Sequence, residues 1–154
     1  MSTNELLSDY SVCVEFPIAW GDMDAFQHVN NTRYFRFFED ARIAYFERSG
    51  VIGSAGMPSG VGPILASTSC RFKYPVSYPD TVHVGARVVE IGRDRFEMSY
   101  LVVSEEAGRV AAEGSGVVVS FDYDAGHKVD LPDAWVEHFE DIEGDGFARG
   151  REES

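Results

Sequence analysis

The chain has 154 residues, 44% of them hydrophobic and 13% aromatic, and its formal net charge is -13. That length fits one domain burying roughly 70% of its unfolded surface, and the composition excludes a disordered chain. The charge speaks against nucleic acid and anionic membrane surfaces as partners, and no segment approaches the roughly 20 apolar residues of a membrane span.

Residues up to Asp9 carry no periodic signal and are expected to form a mobile leader. Val12, Val14, Phe16 and Ile18 alternate with Cys13, Glu15, Pro17 and Ala19, the pattern of a half-buried strand. Pro17 places that strand at an edge or beside a bulge. From Trp20 to Asn31 the chain reads Trp-Gly-Asp-Met-Asp-Ala-Phe-Gln-His-Val-Asn-Asn, a polar loop with two carboxylates, a histidine and two asparagines. Beyond Asn31 the period changes: Tyr34, Phe37, Phe38, Ala41, Ala44 and Tyr45 recur at three- and four-residue steps, which marks a helix. Phe35 and Phe46 lie off that stripe, so the helix is expected to be enclosed by other structure. Asn30 or Asn31 can cap its start, and Ser49-Gly50 ends it.

Gly53 to Gly62 reads as a loop. Four strand-like runs follow: Ile64, Ala66, Thr68, Cys70 and Phe72 share one parity, Val82 to Val88 and Phe96 to Val102 give two more alternating sets, and Arg109–Tyr123 is the fourth run. Turns are expected at Tyr78-Pro79-Asp80, Gly92-Arg93-Asp94 and Glu105-Glu106-Ala107-Gly108, so the later strands should form an antiparallel meander. A short helix starts near Leu131-Pro132-Asp133. The order predicts an α+β fold with a five-stranded antiparallel sheet curled around one long helix. Residues 1–142 form the expected single domain and 143–154 an acidic, disordered tail. Exposed sheet edges predict at least a dimer. Cys13 and Cys70 form no C-x-x-C pair and no ligand cluster, so reduced thiols, a cytoplasmic protein, no metal and no cofactor are expected.

The loop before the helix carries the candidate chemistry. A carboxylate near the start of a buried helix brings an acid, base or nucleophile beside backbone N–H donors, the two parts needed to attack a carbonyl and hold the resulting oxyanion. Asp24 fits that role or a plain Asx turn, and Asp22 fits a hydrogen bond within the turn. His28 fits an orienting or water-holding role, or a bracing one. Asn30 suits a cap or a substrate contact. Tyr34 suits a pocket wall, while Arg71 and Lys73 are either solvated strand residues or contacts for phosphates. No serine lies in a Gly-x-Ser-x-Gly elbow, which argues against a Ser-His-Asp triad.

Through Gly21-Asp22-Met23-Asp24, His28-Val29-Asn30-Asn31, Tyr34 and Phe35-Arg36-Phe37-Phe38-Glu39, with weaker support from Arg71-Phe72 and Tyr78-Pro79-Asp80, residues 10–125 resemble the hotdog-fold acyl-CoA thioesterases of the 4-hydroxybenzoyl-CoA thioesterase-like type. The resemblance implies a hotdog fold, a homodimer or homotetramer, active sites at the subunit interface, and hydrolysis of an acyl- or aroyl-CoA thioester. It implies that Asp24 is the catalytic carboxylate and that a backbone N–H near Asn31 polarises the thioester carbonyl. Many such proteins have Gly-Gly or Ala-Gly after the aspartate, whereas this chain has Ala25-Phe26-Gln27. Two alternatives stand beside acyl-CoA hydrolysis: a thioesterase for acyl groups on acyl carrier protein, and a non-catalytic acyl-CoA binding or regulatory module.

Overall fold

In the computed structural model, which describes residues 2–51 and 60–149, a short helix α1 (Thr3–Leu6) and strand β1 (Val12–Pro17) lead through a 3-10 turn (Trp20–Asp22) into the long helix α2 (Asn31–Ser49). Strands β2 (Val61–Phe72), β3 (Thr81–Ile91), β4 (Arg95–Ser104) and β5 (Arg109–Asp122) follow, then β6 (His127–Lys128), α3 (Asp133–Glu143) and β7 (Ala148–Arg149). Most of the loop expected from Gly53 to Gly62, residues 53–59, lies outside the described residues.

The main sheet runs β1-β3-β4-β5-β2, with every neighbouring pair antiparallel, which is the expected five-stranded hotdog sheet. Pro17 ends β1, whose only partner in that order is β3, so its missing N–H falls at an edge. The expected turns at 92–94 and 105–108 join β3 to β4 and β4 to β5. Each of three strands carries one residue too many for its partner: Ala66 in β2, Val89 in β3 and Ala111 in β5. Such bulges bend a strand and increase its twist, which helps the sheet to curl around α2.

Nineteen residues at 1.5 Å each make α2 roughly 28 Å long. It ends at Gly50, whose φ of +80° is the left-handed cap conformation that glycine adopts without strain. Tyr34, Phe37, Phe38, Ala41, Tyr45 and Phe46 are buried against Val82, Val84, Ala86 and Val88 of β3 and Phe96, Met98, Tyr100 and Val102 of β4. Phe38 stacks on Tyr100 with centroids 4.9 Å apart, and Phe37 stacks on Phe16 at 5.5 Å. Each such buried aromatic contributes roughly 1.5–3 kcal/mol. Trp135 and Phe139 of α3 close the far end over Phe96.

Four expectations need correction. The helix is not enclosed on every side: Phe46 is buried, but Phe35 and Ile43 are about 40% and 39% exposed. The leader is placed, not loose, because Leu7 packs with Leu101 and Val103 on the outer face of the sheet and Tyr10 bonds Ser99. Tyr10 Cβ lies 2.7 Å from where a Cβ on Gly85 would stand, so the missing side chain makes room for it. The single parity read for β2 breaks at the Ala66 bulge, which turns Leu65 rather than Ile64 toward Tyr100. Residues 143–149 are not a disordered tail: Glu143 ends α3 and accepts hydrogen bonds from Ser11, Tyr45 and the Val88 N–H, and β7 pairs with β3.

Phe38 occupies the space that a Cβ on Gly114 would take. Gly114→Ala is therefore expected to destabilise the fold by about 1–3 kcal/mol in urea unfolding, and an unchanged midpoint would contradict this packing.

Candidate active site

The loop between β1 and α2 is shaped by its backbone. Met23 and Val29 form an antiparallel bridge, the Asp24 N–H donates to the His28 carbonyl at 3.0 Å, and the Gln27 N–H donates to the Asp24 carbonyl at 3.0 Å. Asp24 Oδ1 accepts from the Phe26 N–H at 2.9 Å, an Asx-type turn that fixes the carboxylate and leaves Oδ2 free of protein partners among the described residues. The loop is tied to the segment after β2 by Val29 N–H to the Val76 carbonyl and Ser77 Oγ to the Gln27 carbonyl, both 2.8 Å. Asp22 braces the turn: its Oδ2 accepts from the Ala19 N–H at 2.8 Å and its Oδ1 lies 3.4 Å from Arg33 Nε.

The first turn of α2 decides which donors stay available. Asn30 is the cap, its Oδ1 accepting from the Thr32 N–H at 3.0 Å and from Thr32 Oγ1 at 2.9 Å. Its carbonyl takes the Arg33 N–H at 2.9 Å. The Asn31 N–H has no acceptor among the described residues. One backbone donor of a helix start is thus left open, where the helix dipole adds partial positive charge.

Asp24, His28, Asn31, Tyr34 and Lys73 line one open depression of about 390 Å³, with Phe26, Val29, Phe72, Tyr74 and Pro75 completing its wall. The His28 imidazole makes no hydrogen bond among the described residues, and its bracing of the loop runs through its carbonyl. Burial pushes the Tyr34 phenol up to about 12, with Cys70 and Asp80 adding to the rise, so it keeps its proton at neutral pH. Tyr34 packs edge-on against Phe72 at 5.0 Å. Lys73 is half exposed, and its Nζ is 4.0 Å from Glu113. Two candidates lie apart from this group. Asn30 has its side chain committed to the cap, and Arg71 lines a neighbouring depression with Ser69, Cys70, Glu113, Gly114 and Ser115.

Sequence reasoning singled out Lys73 but missed the wall that Phe26, Phe72, Tyr74 and Pro75 build around it. The signal was two aromatic residues and a proline at and just past the end of a strand. Phe26 is 80% exposed and Trp20 72% exposed, an unusual display of aromatic surface on either side of Asp24.

A family model described as the thioesterase-like superfamily matches residues 18–139. A curated relative from Aquifex aeolicus (strain VF5), provisionally named an esterase, is 32% identical over 85 residues, which is 55% of this chain and 66% of the relative, just under two thirds of its length. Among solved structures, a thioesterase from Thermus thermophilus complexed with coenzyme A and zinc is similar, with 31% identity, a TM-score of 0.75, and coverage of 88% of this chain and 96% of that one. A thioesterase-superfamily protein from Jannaschia sp. CCS1 shares the fold at 23% identity and a TM-score of 0.81, covering 92% of this chain and 91% of that one.

Gln27 holds φ at +63°, a conformation costing a residue with a side chain roughly 1–2 kcal/mol. Gln27→Gly is expected to leave thermal stability unchanged or raise it by up to about 1 kcal/mol, and Gln27→Val to lower it by at least about 1 kcal/mol. A valine variant as stable as the parent would contradict the loop geometry.

Proposed function

We propose that this chain, which belongs to the thioesterase-like superfamily, hydrolyses an acyl- or aroyl-CoA thioester to the free acid and coenzyme A. The observation that carries this is the meeting of an exposed carboxylate, Asp24, and an open backbone donor, the Asn31 N–H, at one depression. The donor would hold the thioester oxygen as it gains negative charge, and a preorganised donor of this kind is worth about 10²–10³ in rate.

Two routes use Asp24. In one, Oδ2 attacks the thioester carbon, the C–S bond breaks, thiolate leaves, and water then cleaves the mixed anhydride. In the other, Asp24 takes a proton from a water molecule whose oxygen attacks that carbon, and the proton passes to the departing thiolate. Both consume one water and return Asp24 as a carboxylate. Tyr34 and Phe72 would wall the acyl group, His28 would hold a water or the carboxylate's orientation, and Lys73 would meet a phosphate of coenzyme A.

The assembly belongs to the same proposal. Among the described residues β2 bonds only β5 in the main sheet and its other edge has no strand partner, and Val61, Ile64, Leu65 and Phe72 along it are exposed apolar residues. An open, apolar edge beside the depression favours pairing with a second copy and a site completed at their interface. The proposed setting is the cytoplasm, where thiols such as Cys13 and Cys70 stay reduced. No helix among the described residues is long and apolar enough to cross a membrane.

Thiol release from a panel of short, medium, long and aromatic acyl-CoA thioesters should show turnover of at least one class. Asp24→Asn should lower kcat at least about 100-fold while binding survives. Tight binding with no turnover of any thioester would shift the assignment to a regulatory module, and turnover only on acyl carrier protein would change the substrate. Light scattering is expected to find at least two chains per particle, and a monomer would contradict the shared site.

A further inference from the structure

The first two turns of α2 set where the Asp24 depression stops. On the side of the helix its wall ends at Tyr34, and on the side of β2 at Phe72. Tyr34 is only 2% exposed and meets Phe72 edge-on, with centroids 5.0 Å apart and the rings at 88°. It also meets Phe37 edge-on at 5.7 Å, and Phe37 is stacked on Phe16 of β1. The next helix residue, Phe38, fills the room over Gly114 and stacks on Tyr100 at 4.9 Å. Tyr34, Phe37 and Phe38 therefore pack the space between α2 and the sheet with rings. An interior filled in this way has no room for an acyl chain to thread through it.

The length left to an acyl group is short. If its carbonyl oxygen meets the Asn31 N–H, Tyr34 stands one turn further along the same side of α2. Three residues of helix rise roughly 4.5 Å, and the tyrosine side chain leans back toward the helix start, which shortens the gap. Three bonds of an extended chain span about 3.8 Å, so the gap takes about four bonds. The whole depression, about 390 Å³, must also admit the thioester and the end of the pantetheine arm.

We infer that Tyr34 and Phe72 form an end stop that restricts the protein to compact acyl groups, of about four carbons or a single aromatic ring. The inference rests on the thioesterase reading above and names the acyl class within it. Phe72 sets the limit. Tyr34 belongs to the core, so shortening it would open a cavity in the fold as well as in the site. Phe72 is the last residue of β2 and 45% exposed, so it can be cut back without emptying the core. Each methylene that gains apolar contact adds about fourfold to kcat/KM, whereas one driven against a packed ring adds nothing or is excluded.

The test measures kcat/KM by thiol release for acetyl-, butyryl-, hexanoyl-, octanoyl-, dodecanoyl- and benzoyl-CoA. The expected optimum is butyryl or benzoyl, with octanoyl and dodecanoyl at least about tenfold lower. Phe72→Ala should raise the octanoyl-to-butyryl ratio at least about fourfold, and Phe72→Leu should raise it less. A Phe72→Ala loss that is equal for every substrate is what a purely structural role would give, and it overturns the assignment of Phe72. A wild-type kcat/KM that is flat or rises from butyryl to octanoyl overturns the end stop and leaves the thioesterase reading intact. That comparison decides even if Phe72→Ala does not fold. Release from none of the substrates would count against the thioesterase reading instead. Calorimetric binding of the same series to the wild-type protein then judges the stop alone: affinity highest for butyryl or benzoyl supports it, and affinity flat or climbing to octanoyl overturns it.

Discussion

An α-helix cannot satisfy the N–H groups of its own first turn, and everything at this site follows from how α2 disposes of them. Asn30 takes two with its side chain and its carbonyl, those of Thr32 and Arg33. The Asn31 N–H, at the same depression as Asp24, has no acceptor among the described residues. A cap one residue earlier would put Asn31 at the position whose N–H the cap side chain takes, and would close that donor. Helix nucleation and the candidate chemistry thus share one asparagine.

That small arrangement needs a stiff support. The sheet curls through bulges at Ala66, Val89 and Ala111 and grips α2 by an aromatic face. Glu143 joins the residue before β1, α2 and β3 to the end of α3 through Ser11, Tyr45 and the Val88 N–H, which anchors the helix at the end away from the site. The loop is held on its other side by Val76 and Ser77. Bonds from three directions hold Asp24 in place, and under the proposed mechanism its misplacement by about 1 Å would lower the rate by about two orders of magnitude.

Much of this was legible in the residues. The helix span, its cap choices and its glycine stop were clear because local rules govern them, and the alternation in β3 and β4 survived because both strands are fully paired. The β2 face was misread because a bulge is invisible to a parity count and Ile64, Leu65 and Ala66 are all apolar. The leader was misread because Leu6, Leu7 and Tyr10 lack a period, although they pack as a cluster on the sheet's outer face. Glu143 looked like one more tail acid, since nothing local signals that a carboxylate will meet Tyr45 from 98 positions away.

The most direct measurement is a crystal structure of Asp24→Asn protein with an acyl-CoA that it turns over slowly. The account predicts the thioester oxygen within roughly 3 Å of the Asn31 backbone nitrogen and the carbonyl carbon facing the side chain at position 24. A thioester lying elsewhere, with another group bonded to the Asn31 N–H, would contradict it.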